Sequence, residues 1–141
     1  MTQVFFYHNA SDPIAAAASL IGKAFAKKKP LLIHAPDAAI ADALDRALWL
    51  HPPGSFVAHV RADSPLAGET AVLITDNLDA PPQCERLFNL GADIPAGAGR
   101  FASIIEVVGD DPEVRARGRE RVRRYRELGF AVSFFDLAGR G

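Results

Sequence analysis

Pro30-Leu31-Leu32-Ile33-His34-Ala35-Pro36-Asp37, running on into AAIADALDRALWL from Ala38 to Leu50, is the stretch that decides the fold class. Leu31 to His34 is a short continuous apolar run between prolines, the pattern of a strand buried on both faces, because a strand with one wet face would alternate. Pro36-Asp37 then opens a helix over 38–50, in which Ile40, Leu44, Ala47 and Leu48 recur at helical spacing. A doubly buried strand handed directly to an amphipathic helix is the repeating unit of an α/β protein with a parallel sheet.

The same alternation extends in both directions. Upstream, Gln3 to His8 is aromatic and β-branched. Asn9 to Pro13 supplies cap residues and a first-turn proline, and a helix follows from Ile14 to Lys29 with Leu20, Ile21 and Phe25 inward. Downstream, His51-Pro52-Pro53-Gly54-Ser55 breaks the chain before a brief strand, Phe56 to Val60. A polar loop with Pro65 and Gly68 leads to a second buried strand, Ala71 to Thr75. Asp76 to Pro82 turns into a short helix expected around Gln83 to Leu90, and a Gly- and Pro-containing connection over 91–99 reaches a third buried strand, Ser103 to Val108. Asp111-Pro112-Glu113 starts an arginine-rich helix, Gly129 stops it, and Phe130 to Phe135 forms a last strand. The expected architecture is one domain over 1–141, a three-layer α/β/α Rossmann-like sandwich with a mostly parallel sheet and no nucleotide-binding loop.

Composition narrows the function. In 141 residues no segment approaches the roughly 18 uncharged apolar residues that cross a bilayer, and Val4-Phe5-Phe6-Tyr7 follows the first residues with no basic leader, so a cytoplasmic protein without a membrane partner is expected. One cysteine, Cys84, excludes an intramolecular disulfide and a Cys-rich zinc cluster. The formal charge of −1 excludes a surface given over to nucleic acid. It conceals an asymmetry: from Asp111 to Leu128, seven arginines face four acids, which leaves the rest of the chain at −4.

Catalytic readings find little footing. The turn after the first strand, His8-Asn9-Ala10-Ser11-Asp12, has no glycine for a dinucleotide, and Gly97-Ala98-Gly99-Arg100 precedes a strand rather than a helix and lacks the Lys-Ser/Thr of a phosphate loop. No cofactor is expected. His8, His34, His51 and His59 are nowhere spaced to share a helix face, although His8 and His34 each end a strand, and Asp76 follows one. Cys84 has no histidine nearby in sequence. A polar pocket in which His8, His34 or Asp76 converge would favour an α/β enzyme. Two other features carry weight. Trp49 closes the second helix ahead of a proline turn and Phe56, an aromatic pair that either anchors a partner or caps the core. On the last helix Val114, Gly118, Tyr125 and Leu128 are expected to face the sheet, with Arg115, Arg119, Val122 and Arg123 along one side of that stripe. That flank is either a solvated face or a grip for an acidic, partly apolar peptide.

Taken in order, Phe5-Phe6-Tyr7, Leu31 to His34, Ala43-Leu44-Asp45-Arg46-Ala47-Leu48-Trp49, Ser55-Phe56 with His59, Val72 to Thr75, Glu106-Val107-Val108, and Arg121 to Phe130 with Tyr125-Arg126 and Gly129-Phe130 resemble the chi subunit of bacterial DNA polymerase III over nearly the whole chain. The resemblance implies a non-catalytic clamp-loader accessory subunit. Its partners would be the psi subunit and the acidic, phenylalanine-ending tail of the single-stranded-DNA-binding protein, with no sequence-specific DNA contact. It assigns Trp49 and Phe56 to the psi interface, and Arg115, Arg119, Val122 and Arg123 to the tail site. Ala58 stands where the family often has proline, Val122 where it can have an aromatic, and the segment between Val108 and Arg115 is shortened. A module for another DNA-repair partner, such as a helicase, is the alternative interaction reading.

Overall fold

The computed structural model describes residues 2–27, 30–50, 60–61, 72–75, 78 and 85–138. In chain order the elements are β1 (Gln3–Ala10), α1 (Pro13–Ala26), β2 (Leu31–His34), α2 (Ala38–Leu50), β3 (Val60–Arg61), β4 (Val72–Thr75), β5 (Arg86–Asn89), β6 (Ser103–Gly109), α3 (Pro112–Glu127) and β7 (Ala131–Asp136). The seven strands form one sheet in the order β3-β4-β2-β5-β6-β1-β7, and every pairing between them is parallel.

Side-chain alternation sorts the strands into two packed faces. Leu31, Ile33, Ile74, Phe88 and Ile105 pack with Ala17, Ile21, Leu44 and Leu48, which places α1 and α2 on one side of the sheet. Val4, Leu32, Leu73, Leu87 and Ile104 pack with Tyr125 on the other, beneath α3. The three-layer sandwich read from the sequence is present. Each helix begins at an aspartate whose carboxylate accepts first-turn amides: Asp12 from Ala15, Asp37 from Ala39, and Asp111 from Glu113 and Val114.

Two expectations are corrected. The segment expected to be a helix around Gln83 to Leu90 contains β5, inserted between β2 and β6, while residues 83–84 lie outside the described set. Leu87 and Phe88 are consecutive and both fully buried, on opposite faces. A helix turns consecutive side chains only about 100° apart and would leave one of them near solvent, whereas a central strand buries both. On α3, Val114 and Leu128 are 42% and 58% exposed, and Val122 instead joins Gly118 and Tyr125 against the sheet. The helix starts only three residues after β6 ends, so its first turn lies beyond the strand, and Leu128 is already the capping residue. Of the brief strand expected at 56–60, only Val60 is described, where it opens β3.

The end of α3 is built by Gly129, which adopts φ +85°. The Phe130 amide donates to the Tyr125 carbonyl and the Gly129 amide to that of Arg126, each at 3.0 Å, and the Tyr125 and Phe130 rings stack with centroids 5.9 Å apart. This double hydrogen bond with an apolar clasp satisfies the last carbonyls and aims the chain into β7. No atom lies within 4 Å of a Cβ built at Gly129, so replacement meets only the backbone penalty of a left-handed conformation. Gly129→Ala is expected to lower the unfolding free energy by about 1 kcal/mol, read from the urea midpoint at unchanged m-value.

Candidate functional site

One row of residues, in register across neighbouring strands and turned toward α3, organises the site: Thr75, His34, Asn89, Glu106, Phe6 and Phe134. It is polar from β4 to β6 and aromatic on β1 and β7.

Glu106 is the junction. It is 1% exposed in the middle of an otherwise apolar strand. Arg121 Nε donates to its Oε1 at 2.7 Å, the Tyr125 hydroxyl donates to Oε2, and Asn89 Nδ2 donates to Oε2 at 3.4 Å. Asn89 Oδ1 in turn accepts the Gly91 amide and lies 3.2 Å from His34 Nδ1, while Arg121 Nη1 donates to the Ala92 carbonyl at 2.8 Å. A buried carboxylate tolerates the loss of water only when its oxygens are supplied with donors in this way. Burial pushes the Glu106 carboxyl above the ordinary carboxylate range against the opposing pull of Arg121, and burial beside Glu106 raises the Tyr125 hydroxyl as well. Both donors from α3 end on one strand residue, so the helix cannot rotate without breaking two charge-assisted bonds.

Close approach completes the seating. A Cβ on Gly118 would stand 3.1 Å from the Phe6 ring and 3.2 Å from Val108. With α3 held there, its flank and the β1–β7 margin of the sheet enclose a groove of about 700 Å³. Phe6, Val108 and Val122 form an apolar floor. Arg115, Arg119, Arg123 and Arg126 line the helix side, with Glu127 among them, and His8 and Phe134 line the strand side. Phe134, 47% exposed, meets Phe6 edge-on at 5.8 Å and His8 at 6.3 Å, and the Arg126 guanidinium lies 5.4 Å from its centroid.

The arginines are not equivalent. Glu113, Glu120 and Glu127 recur every seven residues along α3; Arg117 pairs with the first, and Arg123 with the other two. The hydrogen bond from Arg123 holds the Glu120 carboxyl below its ordinary range, and the same contact raises Arg123. Arg115 and Arg119 have no carboxylate partner among the described residues. Arg126, over the Phe134 ring, likewise has none, and three such cations beside an apolar hollow suit a ligand with carboxylates and an oily group.

The four residues singled out on α3, Arg115, Arg119, Val122 and Arg123, therefore meet in one groove. Trp49 lies in the last turn of α2, but its side chain falls outside the described residues, as do Phe56, His51, His59, Asp76 and Cys84. His8 and His34 do not converge: their strands are separated by β5 and β6, three strand spacings or about 14 Å. The Gly97 to Arg100 segment forms a short 3-10 helix rather than a phosphate loop. The sequence reading missed Phe6, Val108, Phe134 and Arg126 as groove residues. Only Arg126 carried a local signal, lying eleven residues, about three turns, beyond Arg115.

A scan against known families matches residues 1–133 to the model described as DNA polymerase III chi subunit, HolC. The chain belongs to the DNA polymerase III chi subunit family. Curated relatives with the name DNA polymerase III subunit chi include that of Pseudomonas aeruginosa PAO1, 32% identical over 138 residues and 94% of each chain. Those of Escherichia coli K12 and Haemophilus influenzae Rd are 27% and 28% identical, over 86% and 83% of this chain. The chi subunit is a replication accessory subunit and not a catalytic one. Among the described residues no helix is long and apolar enough to cross a membrane.

The Glu106 junction yields a pH test. A carboxyl raised by folding contributes stability that is present below the unfolded value of 4.5 and lost as pH rises through the higher folded value. Glu106→Gln is expected to destabilise the protein by about 2 kcal/mol, since its amide nitrogen would face Arg121 Nε or the Tyr125 hydroxyl, a donor where an acceptor is needed. Urea titrations should also find this particular decline in stability, on raising pH from 4.5, present in the parent and missing in the variant.

Proposed function

We propose that this chi-family chain is a tether. The α3 groove takes the acidic, phenylalanine-ending tail of the single-stranded-DNA-binding protein, and a second surface around Trp49 and Phe56 takes the psi subunit of the clamp loader. The observation that carries this reading is the pair of unneutralised cations, Arg115 and Arg119, standing beside an apolar floor of Phe6, Val108 and Val122. Carboxylates of the tail meet the guanidinium groups, of which Arg119 and Arg115 are free to form bidentate pairs, and the terminal phenylalanine occupies the hollow against Phe6 and Phe134. Joining clamp loader and coated template in this way raises their effective concentration without a chemical step, in the cytoplasm where the chromosome is copied.

Binding is expected to weaken as salt rises, because exposed guanidinium groups are screened. Fluorescence anisotropy with the labelled tail peptide should give a Kd about tenfold higher for Arg115→Ala and for Arg119→Ala than for the parent. Unchanged affinity in both variants would remove the groove from consideration. On the second surface, Trp49→Ala is expected to abolish co-purification with psi while tail affinity and the circular-dichroism spectrum stay as in the parent; an unfolded variant would make Trp49 a core residue instead.

A further inference from the structure

The outer edge of β7 is the one margin of the sheet that adjoins the groove. Among the described residues no strand pairs with it. The Ala131 amide donates to Thr2 and the Leu137 amide to His8, so odd-numbered residues of β7 point their backbone groups toward β1. By alternation the N–H and C=O groups of Val132 and Phe134 point outward. Edge strands in folded proteins are usually blunted by proline, lysine or a bulge, yet Ala131-Val132-Ser133-Phe134-Phe135-Asp136 has none of these, and Phe134 and Phe135 remain 47% and 38% exposed on opposite faces.

We propose that the groove's ligand binds as an extended acidic peptide that adds an eighth strand alongside β7, its outward-facing backbone groups supplying main-chain hydrogen bonds while alternate side chains turn toward α3. The argument is one of charge and spacing, and it rests on the reading that an acidic peptide fills the groove. Side chains on one face of a strand repeat every second residue, about 6.8 Å, while Arg115 and Arg119, four residues apart on a helix, are offset by about 6 Å along its axis. Carboxylates at alternate positions of an added strand thus match the unneutralised arginines in both sign and period. The acids bordering this path are already engaged: Glu127 by Arg123, and Asp136 by the Asn9 side chain and the Ala138 amide.

The probe is a synthetic peptide with aspartate at alternate positions and a carboxyl-terminal phenylalanine, made also in two N-methylated forms that block one or the other alternating set of amides. An added strand predicts that one set raises the Kd about tenfold and the other leaves it within about twofold, because only one edge of the peptide faces β7. In parallel, amide exchange at Val132 and Phe134 should slow on binding of the unmethylated peptide. Equal affinity of both methylated forms, or unaltered exchange at those two amides, would overturn the added strand while leaving the groove reading intact. A parent peptide that fails to bind at all would remove the groove reading, and the strand with it. A chain whose β7 amides are already protected in a dimer at assay concentration would assign the edge to a second copy and overturn the proposal.

Discussion

A carboxylate buried in the middle of a sheet governs this structure. Glu106 gives up nearly all its water and recovers three donors, two of them from α3, so the helix position is fixed by electrostatics as well as by apolar contact. Hydrophobic packing alone is non-directional and would tolerate a helix slipped or rolled by part of a turn. The bonds from Arg121 and Tyr125 remove that freedom. The close contact at Gly118 requires the same registration from the other side, because a larger residue there would meet Phe6 and Val108.

That registration separates the two flanks of α3. Arg121 faces the polar half of the sheet with Arg117 and Arg124, beside a second cavity walled by residues 92–96. Arg115, Arg119, Arg123 and Arg126 face the aromatic half. The glutamates at intervals of seven then determine which cations remain available, since Arg117 and Arg123 are drawn into pairs along the helix surface. Such exposed pairs add little stability. Their effect is to leave Arg115, Arg119 and Arg126 as the groove cations with no carboxylate partner among the described residues.

The sequence made the α3 half of this site legible, because helical spacing is local: Arg115, Arg119, Val122 and Arg123 share a flank in any α-helix. The other half was not. Phe6, Val108 and Phe134 come together only through the order β6-β1-β7, and periodicity carries no information on which strands become neighbours. Doubly buried strands were read correctly where the run was plainly apolar, as at Leu31 to His34. They were misread at Arg86 to Asn89, where polar residues flank only Leu87 and Phe88 and where Leu87 and Leu90 imitate a helical repeat. Glu106 was visible as an acid within an apolar run, a position that demands a partner, but its partners lie 15 and 19 residues away on another element.

The sheet's breadth has a geometric consequence. Seven parallel strands set at ordinary spacing measure about 29 Å from β3 to β7. Each strand is also rotated by roughly 20° to 25° from its neighbour, so the two outermost strands diverge by more than about 120°. The two borders of such a propeller therefore face different quarters of space.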